Sequence, residues 1–280
     1  MRFGDSPESD NFEDRTGQSG GGGMNLGGGL GMILPLVASR FGIVGILILL
    51  LGYCVLTQFG GGGGMLGGSP QEGTSKLDPA TGKFMRQVLG STEQVWGQVF
   101  TQAGGQYQPT RLVAYTDYNK SGCGAAQAAM GPFYCPTDKQ IYIDPAFFNE
   151  LSRRFGAPGD FAQAYVIAHE VGHHIQDLEG TLDKAQTAQA RTSATGGNQI
   201  QVGVELQADC YAGVWAKRSG ALEQGDIEEG MRAAEAIGDD MLTKGKVSPD
   251  NFTHGTSAQR MEALRNGLSS GNPSTCNYAK

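Results

Sequence analysis

The 280-residue chain has little basic charge and few of the side chains that bind metals. Its 21 Lys and Arg are outnumbered by 28 Asp and Glu, so the net charge is −7. Because no basic stripe is available to neutralise phosphates, nucleic acid is excluded as an expected partner. Histidine occurs only four times. The five cysteines contain no Cys-x-x-Cys pair, which argues against a cysteine-ligated structural zinc site.

Four of the five cysteines follow the longest apolar run of the sequence. An even set suits disulfide bonds in an oxidising compartment, with three pairings open. We expect Cys123 to pair with Cys135, which is close in sequence, and Cys210 to pair with Cys276, which would tie the C-terminus to a core helix. Free buried thiols are the alternative.

The N-terminal quarter of the chain is rich in glycine and contains one long apolar run. Residues 1–31 are polar and then glycine-rich, so we predict that they are disordered. Residues 32–59 are predicted to be a membrane anchor, with a spanning helix at about 41–59 that carries no charge; a buried core helix is the alternative. The run starts late and no Ala-x-Ala site follows it, which argues against a cleaved signal peptide. Residues 60–76 read as a glycine-rich linker.

The expected cellular location follows from this predicted anchor. Arg40 borders the apolar run, and the downstream cysteines suit an oxidising compartment. We therefore expect a single-pass cell-membrane protein whose N-terminus is cytoplasmic. Its globular domain, residues 77–280, would then be periplasmic or otherwise extracytoplasmic, with the lipid bilayer as one partner.

The globular domain is predicted to be α+β and mainly α. Apolar spacing indicates a first helix around Phe84 to Phe100, and short strands are indicated at residues 111–116 and 140–143, separated by a loop at 121–136. Helices are expected at about 160–179, 182–191, 199–219, 226–238 and 257–266, with a break at Gly196-Gly197. Residues 141–143 are either a sheet edge that accepts an extended peptide or an ordinary core strand.

One stretch of 13 residues, 164–176, contains three of the four histidines. His169 and His173 stand four residues apart, so both imidazoles project from one side of a helix. Glu170 follows the first histidine. This is the His-Glu-x-x-His pattern of zinc peptidases, in which the glutamate transfers protons and does not bind the metal.

A third ligand is expected from residues 204–209. Glu205 and Asp209 stand four residues apart on a helix that is otherwise apolar on that side, and burying two carboxylates is costly unless each has a metal, a cation or hydrogen bonds. We assign Glu205 as the third ligand of one zinc ion per chain, and Asp209 as the acceptor for the free ring N–H of a ligand histidine. His174 and Asp177 are alternative ligands, although His174 lies about 100° around the helix from His173.

The expected reaction is hydrolysis of a peptide bond by a metal-activated water. The zinc ion would polarise the scissile carbonyl, while Glu170 would take the proton of the water and pass it to the leaving amine. The fourth histidine lies in the stretch His-Gly-Thr-Ser-Ala-Gln-Arg. Its ends, His254 and Arg260, could stabilise the developing oxyanion or serve as structural caps.

At these motifs the chain resembles the neutral zinc metallopeptidase family of bacteria. The resemblance is carried by residues 11–15, 131–136, 164–176, 205–216 and 254–260. It implies an N-terminal membrane anchor and a zincin-like domain in which His169, His173 and Glu205 bind zinc and Glu170 is catalytic. The last two stretches are also similar to those of the CAAX prenyl endopeptidase and heat-shock membrane metallopeptidases, which implies that His254 and Arg260 contact the transition state. Gly203 departs from the family, where a basic residue often stands.

The predicted function is that of a membrane-anchored zinc metalloendopeptidase acting on a peptide or protein substrate. The alternative is a membrane-tethered binding or scaffold protein with a structural or latent zinc site. A closed site, in which a fourth protein ligand such as His174, His254 or a cysteine completes the coordination, would favour this alternative.

Overall fold

A computed structural model describes residues 1–4, 6–18 and 74–279. Helices predominate in this part of the chain and a small mixed sheet accompanies them, which confirms the predicted α+β, mainly helical class. The predicted spanning helix at 41–59 and most of the glycine-rich segments lie outside the described residues. Within the described ranges, no helix is both long and apolar enough to cross a membrane.

The sheet has four strands in the order β1-β2-β6-β5, and a separate hairpin pairs β3 with β4. In chain order the strands are β1 (Phe12–Asp14), β2 (Arg111–Ala114), β3 (Tyr118–Ser121), β4 (Gly124–Gln127), β5 (Phe133–Cys135) and β6 (Gln140–Ile143). β1, β2 and β6 are parallel, and β5 is antiparallel to β6. Because β6 lies between β2 and β5, residues 141–143 form an interior strand, the second of the two predicted alternatives, and β5 is an edge strand.

The helices pack around one buried pair. In chain order they are α1 (Pro79–Gln102), α2 (Ala146–Arg153), α3 (Asp160–Leu178), α4 (Thr181–Gln189), α5 (Ala194–Ser219), α6 (Asp226–Ala236), α7 (Asp239–Leu242) and α8 (Ser257–Ser270). α3 is buried over most of its length and α5 is buried from Val204 to Ala216, and these two helices form the centre of the core. α8 packs closely on α5 where Gly213 and Gly267 meet, since a Cβ at either position would overlap main-chain atoms of the other helix.

Two local predictions are corrected by the structure. α5 begins at Ala194 and runs through Gly196 and Gly197, where a break was expected, because the side chain of Ser193 accepts the Gly196 N–H at 3.1 Å and caps the helix. The expected loop at 121–136 contains the short strands β4 and β5.

The prediction of disorder over residues 1–31 is wrong for the described residues 1–4 and 6–18. They belong to the same compact unit as the rest of the described chain. Met1 and Phe3 are buried in the main core, and β1 pairs in parallel with β2. Thr16 Oγ1 also accepts the main-chain N–H of Lys76 at 3.0 Å. This segment has few apolar residues of its own, so it is ordered by a core that later parts of the chain supply.

Both predicted disulfides are present, joining Cys123 to Cys135 and Cys210 to Cys276. The first links the loop after β3 to the edge strand β5. The second ties the C-terminal tail to α5, as expected.

Candidate metal centre

The structure brings together three of the predicted ligands, His169, His173 and Glu205. Each offers one ligand atom, and these atoms lie within 4.8 Å of one another. Glu205 Oε2 is 3.2 Å from His169 Nε2 and 3.7 Å from His173 Nε2. The histidines are one turn apart on α3, and α5 approaches closely because Gly172 has no side chain: a Cβ there would lie 2.9 Å from the main-chain oxygen of Ala208.

The other nitrogen of each imidazole is bonded to an oxygen that can only accept. His169 Nδ1 lies 2.8 Å from Asp209 Oδ1, and His173 Nδ1 lies 2.9 Å from Gln176 Oε1. Nδ1 must therefore carry the proton in both rings, which leaves both Nε2 atoms facing Glu205. Two Nε2 atoms and one carboxylate oxygen form a ligand set typical of catalytic zinc sites, so the residues fit this ion.

Electrostatics at the cluster also favour a cation. Burial disfavours a charged His169, but the Asp209 and Glu205 carboxylates outweigh it and raise the pKa of His169 to about 10. Burial opposes the charge of Glu205 as well, yet both imidazoles together hold its pKa well below the usual range. Glu205 is therefore ionised beside two Nε2 atoms. Its charge can be balanced by a proton on an imidazole or by a metal ion.

Asp209 is buried and bonded as predicted to a candidate ligand, and it has a second partner. Arg260 donates to it from Nε at 2.9 Å and from Nη2 at 2.8 Å, and the Tyr165 hydroxyl donates to Oδ1. Burial opposes the Asp209 charge, and the Arg260 guanidinium overcomes this and lowers its pKa. Arg260 is itself only 2% exposed. Two of its donors are directed at Asp209, the support of His169, and Arg260 also lines the cleft. Its expected contact with the reacting atoms stays a prediction.

Glu170 is buried between the candidate ligands and the edge strand. Its Oε2 has no hydrogen-bond partner among the described residues, and burial raises the pKa of this carboxyl. The main-chain N–H of Tyr134, in β5, acts in the opposite direction and lowers the pKa of this carboxyl, but burial outweighs it. An unpartnered buried carboxylate oxygen is costly to fold around, so it marks a place where a bound molecule is expected.

His254 lies at the opposite wall of the site. Its ring lines the cleft and is 47% exposed, and its Nδ1 lies 3.1 Å from Asp239 Oδ1. Asp239 Oδ2 accepts the main-chain N–H groups of Thr253 and His254 at 2.7 Å each, and of Gly255 at 3.2 Å. The loop that presents His254 is therefore held by one carboxylate.

The cluster opens into a cleft of about 590 Å³. Apart from the polar cluster, much of its wall is apolar and includes Phe133, Phe147, Phe155, Leu182, Ile237 and Leu242. Within the part of the chain that the structure describes, no cysteine or further histidine joins the three candidate ligands. His174 instead contacts the Gln108 main-chain oxygen at 2.7 Å, which supports the structural role that the helix geometry favoured.

Several contributing residues were missed by sequence reasoning. Gln176 bonds His173, and Gln201 donates to Glu205 Oε1 at 3.1 Å. Helical spacing could have indicated both contacts, since Gln176 is three residues after His173 and Gln201 is four residues before Glu205. Tyr165, four residues before His169, has the same kind of signal. Asp177, considered as a ligand, instead accepts the Tyr134 hydroxyl at 2.8 Å.

Comparison with known proteins gives one family. The chain matches the family described as "putative neutral zinc metallopeptidase" over residues 1–279. It is 44% identical over 290 residues to "Uncharacterized protein YpfJ" of Escherichia coli K12, covering 99% of this chain and 98% of the relative. It is 42% identical over 173 residues to "Uncharacterized protein Rv2575" of Mycobacterium tuberculosis, covering 56% of this chain and 57% of the relative. No solved structure matches the chain.

Proposed function

The chain belongs to the neutral zinc metallopeptidase family, and from this premise we propose that it is a membrane-anchored zinc metalloendopeptidase with a zincin-like domain. The observation that carries the proposal is the cluster of His169, His173 and Glu205 beside the unpartnered carboxyl of Glu170, in a cleft open to solvent. Membership of the family supports peptidase activity in general.

In this proposal His169, His173 and Glu205 hold the ion. When bound, zinc supplies a Lewis acid that polarises a peptide carbonyl and lowers the pKa of water. Glu170 accepts a proton at its carboxylate and later delivers it to the leaving amine. Burial raises the pKa of Glu170, which makes it a better base than an exposed glutamate once it is ionised.

The remaining site residues orient this chemistry. Asp209 and Gln176 fix the two imidazoles, and Arg260 holds Asp209 in place. We assign Arg260 a positioning role. His254, half-exposed at the wall of the cleft, is the residue of this pair that can meet a developing oxyanion.

The cleft suggests how a peptide would bind. β5 is an edge strand, and its Phe133 and Tyr134 line the same cleft as Glu170, so an extended segment that lies along this strand would pass the proposed base. The apolar walls favour large hydrophobic side chains on either side of the scissile bond. The proposed substrates are therefore extended, unfolded or flexible stretches of protein.

We propose a cellular location that differs from the expected one for the N-terminal segment, because residues 1–4 and 6–18 fold with residues 74–279. A single crossing between these two parts would place them on opposite sides of the membrane, whereas β1 pairs with β2 and Lys76 bonds Thr16. We propose that both parts lie on the extracytoplasmic side, where the two disulfides are stable.

This location is tested by labelling two exposed positions, Asp10→Cys and Glu262→Cys, in a Cys54→Ser background in intact cells. A membrane-impermeant maleimide should label both variants without lysis. Labelling of only one of the two before lysis would show that the N-terminal segment and the domain lie on opposite sides, and would contradict the proposal.

The reaction is tested with Glu170→Gln, which preserves the shape of the side chain and removes the base. Zinc content should equal that of the wild type, while cleavage of a library of quenched fluorescent peptides should fall by about 10²–10⁴-fold. Glu179→Gln is the matched control, since Glu179 lies at the end of the same helix and bonds Tyr211 at 2.8 Å. Equal zinc with unchanged cleavage in Glu170→Gln would refute the role of Glu170.

The alternative function, a membrane-tethered binding or scaffold protein, has one distinguishing outcome. A wild-type protein that holds one zinc ion and binds peptides without cleaving any member of the library would favour it. The cluster of three ligands beside an unpartnered base favours the peptidase.

A further inference from the structure

We propose that the C-terminal tail, residues 276–278, positions the ligand His173 through two buried glutamine side chains, Gln207 and Gln176. The inference rests on the proposed zinc site. It concerns a part of the chain that lies far from the His-Glu-x-x-His motif in sequence and reaches it only through side-chain amides.

A continuous row of hydrogen bonds joins His173 to the tail. His173 Nδ1 donates to Gln176 Oε1 at 2.9 Å, and Gln176 Nε2 donates to Gln207 Oε1 at 2.9 Å. Gln207 Nε2 then donates to the main-chain oxygen of Cys276 at 2.9 Å. Gln176 is fully buried and Gln207 is 7% exposed, so water cannot readily replace these partners.

The tail determines which atom donates and which accepts in each hydrogen bond of this row. A main-chain oxygen only accepts, so Gln207 must turn its amide nitrogen to Cys276 and its oxygen to Gln176. Gln176 must then turn its nitrogen to Gln207 and its oxygen to His173, an orientation that the Val204 main-chain oxygen supports by accepting from Gln176 Nε2 at 2.8 Å. His173 is thereby required to carry its proton on Nδ1. Its Nε2 is left to face Glu205.

The tail is fixed on one face of α5, the helix that carries Glu205. Cys276 is bonded to Cys210, and its oxygen accepts from Gln207. The main-chain oxygen of Tyr278 lies 2.6 Å from the position that a Cβ at Gly203 would occupy. Positions 203, 207 and 210 follow one another on successive turns, so the tail runs along the helix and does not merely touch its end. A side chain at 203 would displace it.

The expected effect is on metal affinity. Outer partners of metal-ligating histidines typically change affinity by about 10–100-fold when they are removed. Gln176 touches His173 directly, so its loss should lie within this range. Gln207 acts through Gln176, whose orientation Val204 also supports, so its loss should lie at the lower end.

The test uses Gln176→Met and Gln207→Met, which keep the volume and remove the amide. Zinc dissociation constants are measured by competition with a chelator, together with unfolding midpoints of the metal-free proteins. We expect weakening by about 10–100-fold for Gln176→Met and by about 10-fold for Gln207→Met. The double variant should match Gln176→Met alone, because both residues act along one path. Gln87→Met, the same substitution at a buried glutamine that bonds the Gly4 main-chain oxygen and touches neither the row nor the tail, should bind zinc as the wild type does.

Two further measurements separate positioning from general loosening of the fold. The chain has four histidines, so the ring signals of a ¹⁵N-histidine sample are few, and the Nδ1 proton of zinc-bound His173 should exchange faster in Gln207→Met than in Gln87→Met. Replacing Cys210 and Cys276 by Ser should weaken zinc binding, whereas replacing Cys123 and Cys135 by Ser should not.

The outcomes distinguish this inference from the proposed function. A wild-type protein that binds no zinc would overturn the zinc site itself. A wild type that binds zinc, with a folded Gln207→Met variant whose affinity and proton exchange equal those of Gln87→Met, would overturn only the role of the tail. An additive double variant would also contradict a single path.

Discussion

Replacing Asp209 by Leu should damage the protein in two separable ways. Asp209 is fully buried and is shared by His169, Tyr165 and the guanidinium of Arg260. Leucine has the same branching and the same number of side-chain heavy atoms, although its methyl groups are larger than carboxylate oxygens, and it cannot accept a hydrogen bond. The variant therefore leaves a buried cation without its partner and a candidate ligand without its acceptor.

The two losses have different magnitudes. Breaking a buried ion pair by removing one member costs about 3–5 kcal/mol, because the other charge stays buried and unpaired. That is a large part of the roughly 5–15 kcal/mol by which domains are stable. Losing the acceptor of His169 Nδ1 should weaken zinc binding by about 10–100-fold. A second substitution, Arg260→Met, separates these effects, since it removes the unpaired charge but restores no acceptor.

The assay is a cycle of the wild type, Asp209→Leu, Arg260→Met and the double variant. Denaturant unfolding of the metal-free proteins should show the double variant to be more stable than Asp209→Leu, with a favourable coupling of the two substitutions. Its zinc affinity, measured by chelator competition, should stay as low as that of Asp209→Leu. If the double variant regained zinc affinity along with stability, Asp209 would act on zinc only through the fold, and the assigned contact with His169 would be wrong.

Replacing Glu205 by Ala removes one of three candidate ligands, so most bound zinc should be lost on metal analysis; full retention would require another third ligand. Chelation of zinc should lower the unfolding temperature of the wild type more than that of Glu205→Ala, because only the wild type has binding energy to lose. A further prediction concerns the loss of folding stability at acid pH. Burial opposes the charge of Asp239, but hydrogen bonds from His254 and its loop lower its pKa below the usual value. The stabilisation is therefore present above about pH 4, the unfolded pKa, and is lost as pH falls through the folded pKa. Asp239→Asn should be about 1–3 kcal/mol less stable than the wild type at pH 7, with the difference shrinking below pH 4 in denaturant unfolding. A difference that stays constant from pH 7 to acid would contradict the ionised contact.

The parts of the site that were predictable share a local cause. His169, Glu170 and His173 lie within one turn of one helix, so spacing alone places the two imidazoles on one side. Glu205 and Asp209 were predicted because two carboxylates on an apolar helix face need partners, whatever the fold. The structure places both where that argument required.

The contacts of Arg260 could not be predicted from the local sequence. The sequence indicated that it belongs near the site, but its direction depends on how α8 lies on α5. That packing is close because Gly213 and Gly267 meet, and it turns the guanidinium towards Asp209. Contacts of this kind depend on two glycines more than 50 residues apart, and neither glycine carries a signal of its partner.

Gln176 and the N-terminal segment were missed for a related reason. An uncharged amide has no burial cost that would single it out, and its partner Gln207 comes from another helix. Residues 12–14 form a strand only because β2, about a hundred residues later, offers an edge. Pairing between distant segments has no periodicity of its own, so composition alone suggested disorder.

By itself the sequence determined the helical class, the His-Glu-x-x-His motif on α3 and the carboxylates on α5. These features follow from spacing along one helix or from the cost of burying charge, and both are properties of short stretches. Only the tertiary structure decided that Arg260 supports Asp209, that β5 is the edge strand, that residues 1–4 and 6–18 join the domain, and that the tail reaches His173. Each of these depends on which surfaces meet when distant elements pack, and that is settled by the whole core and not by any one segment.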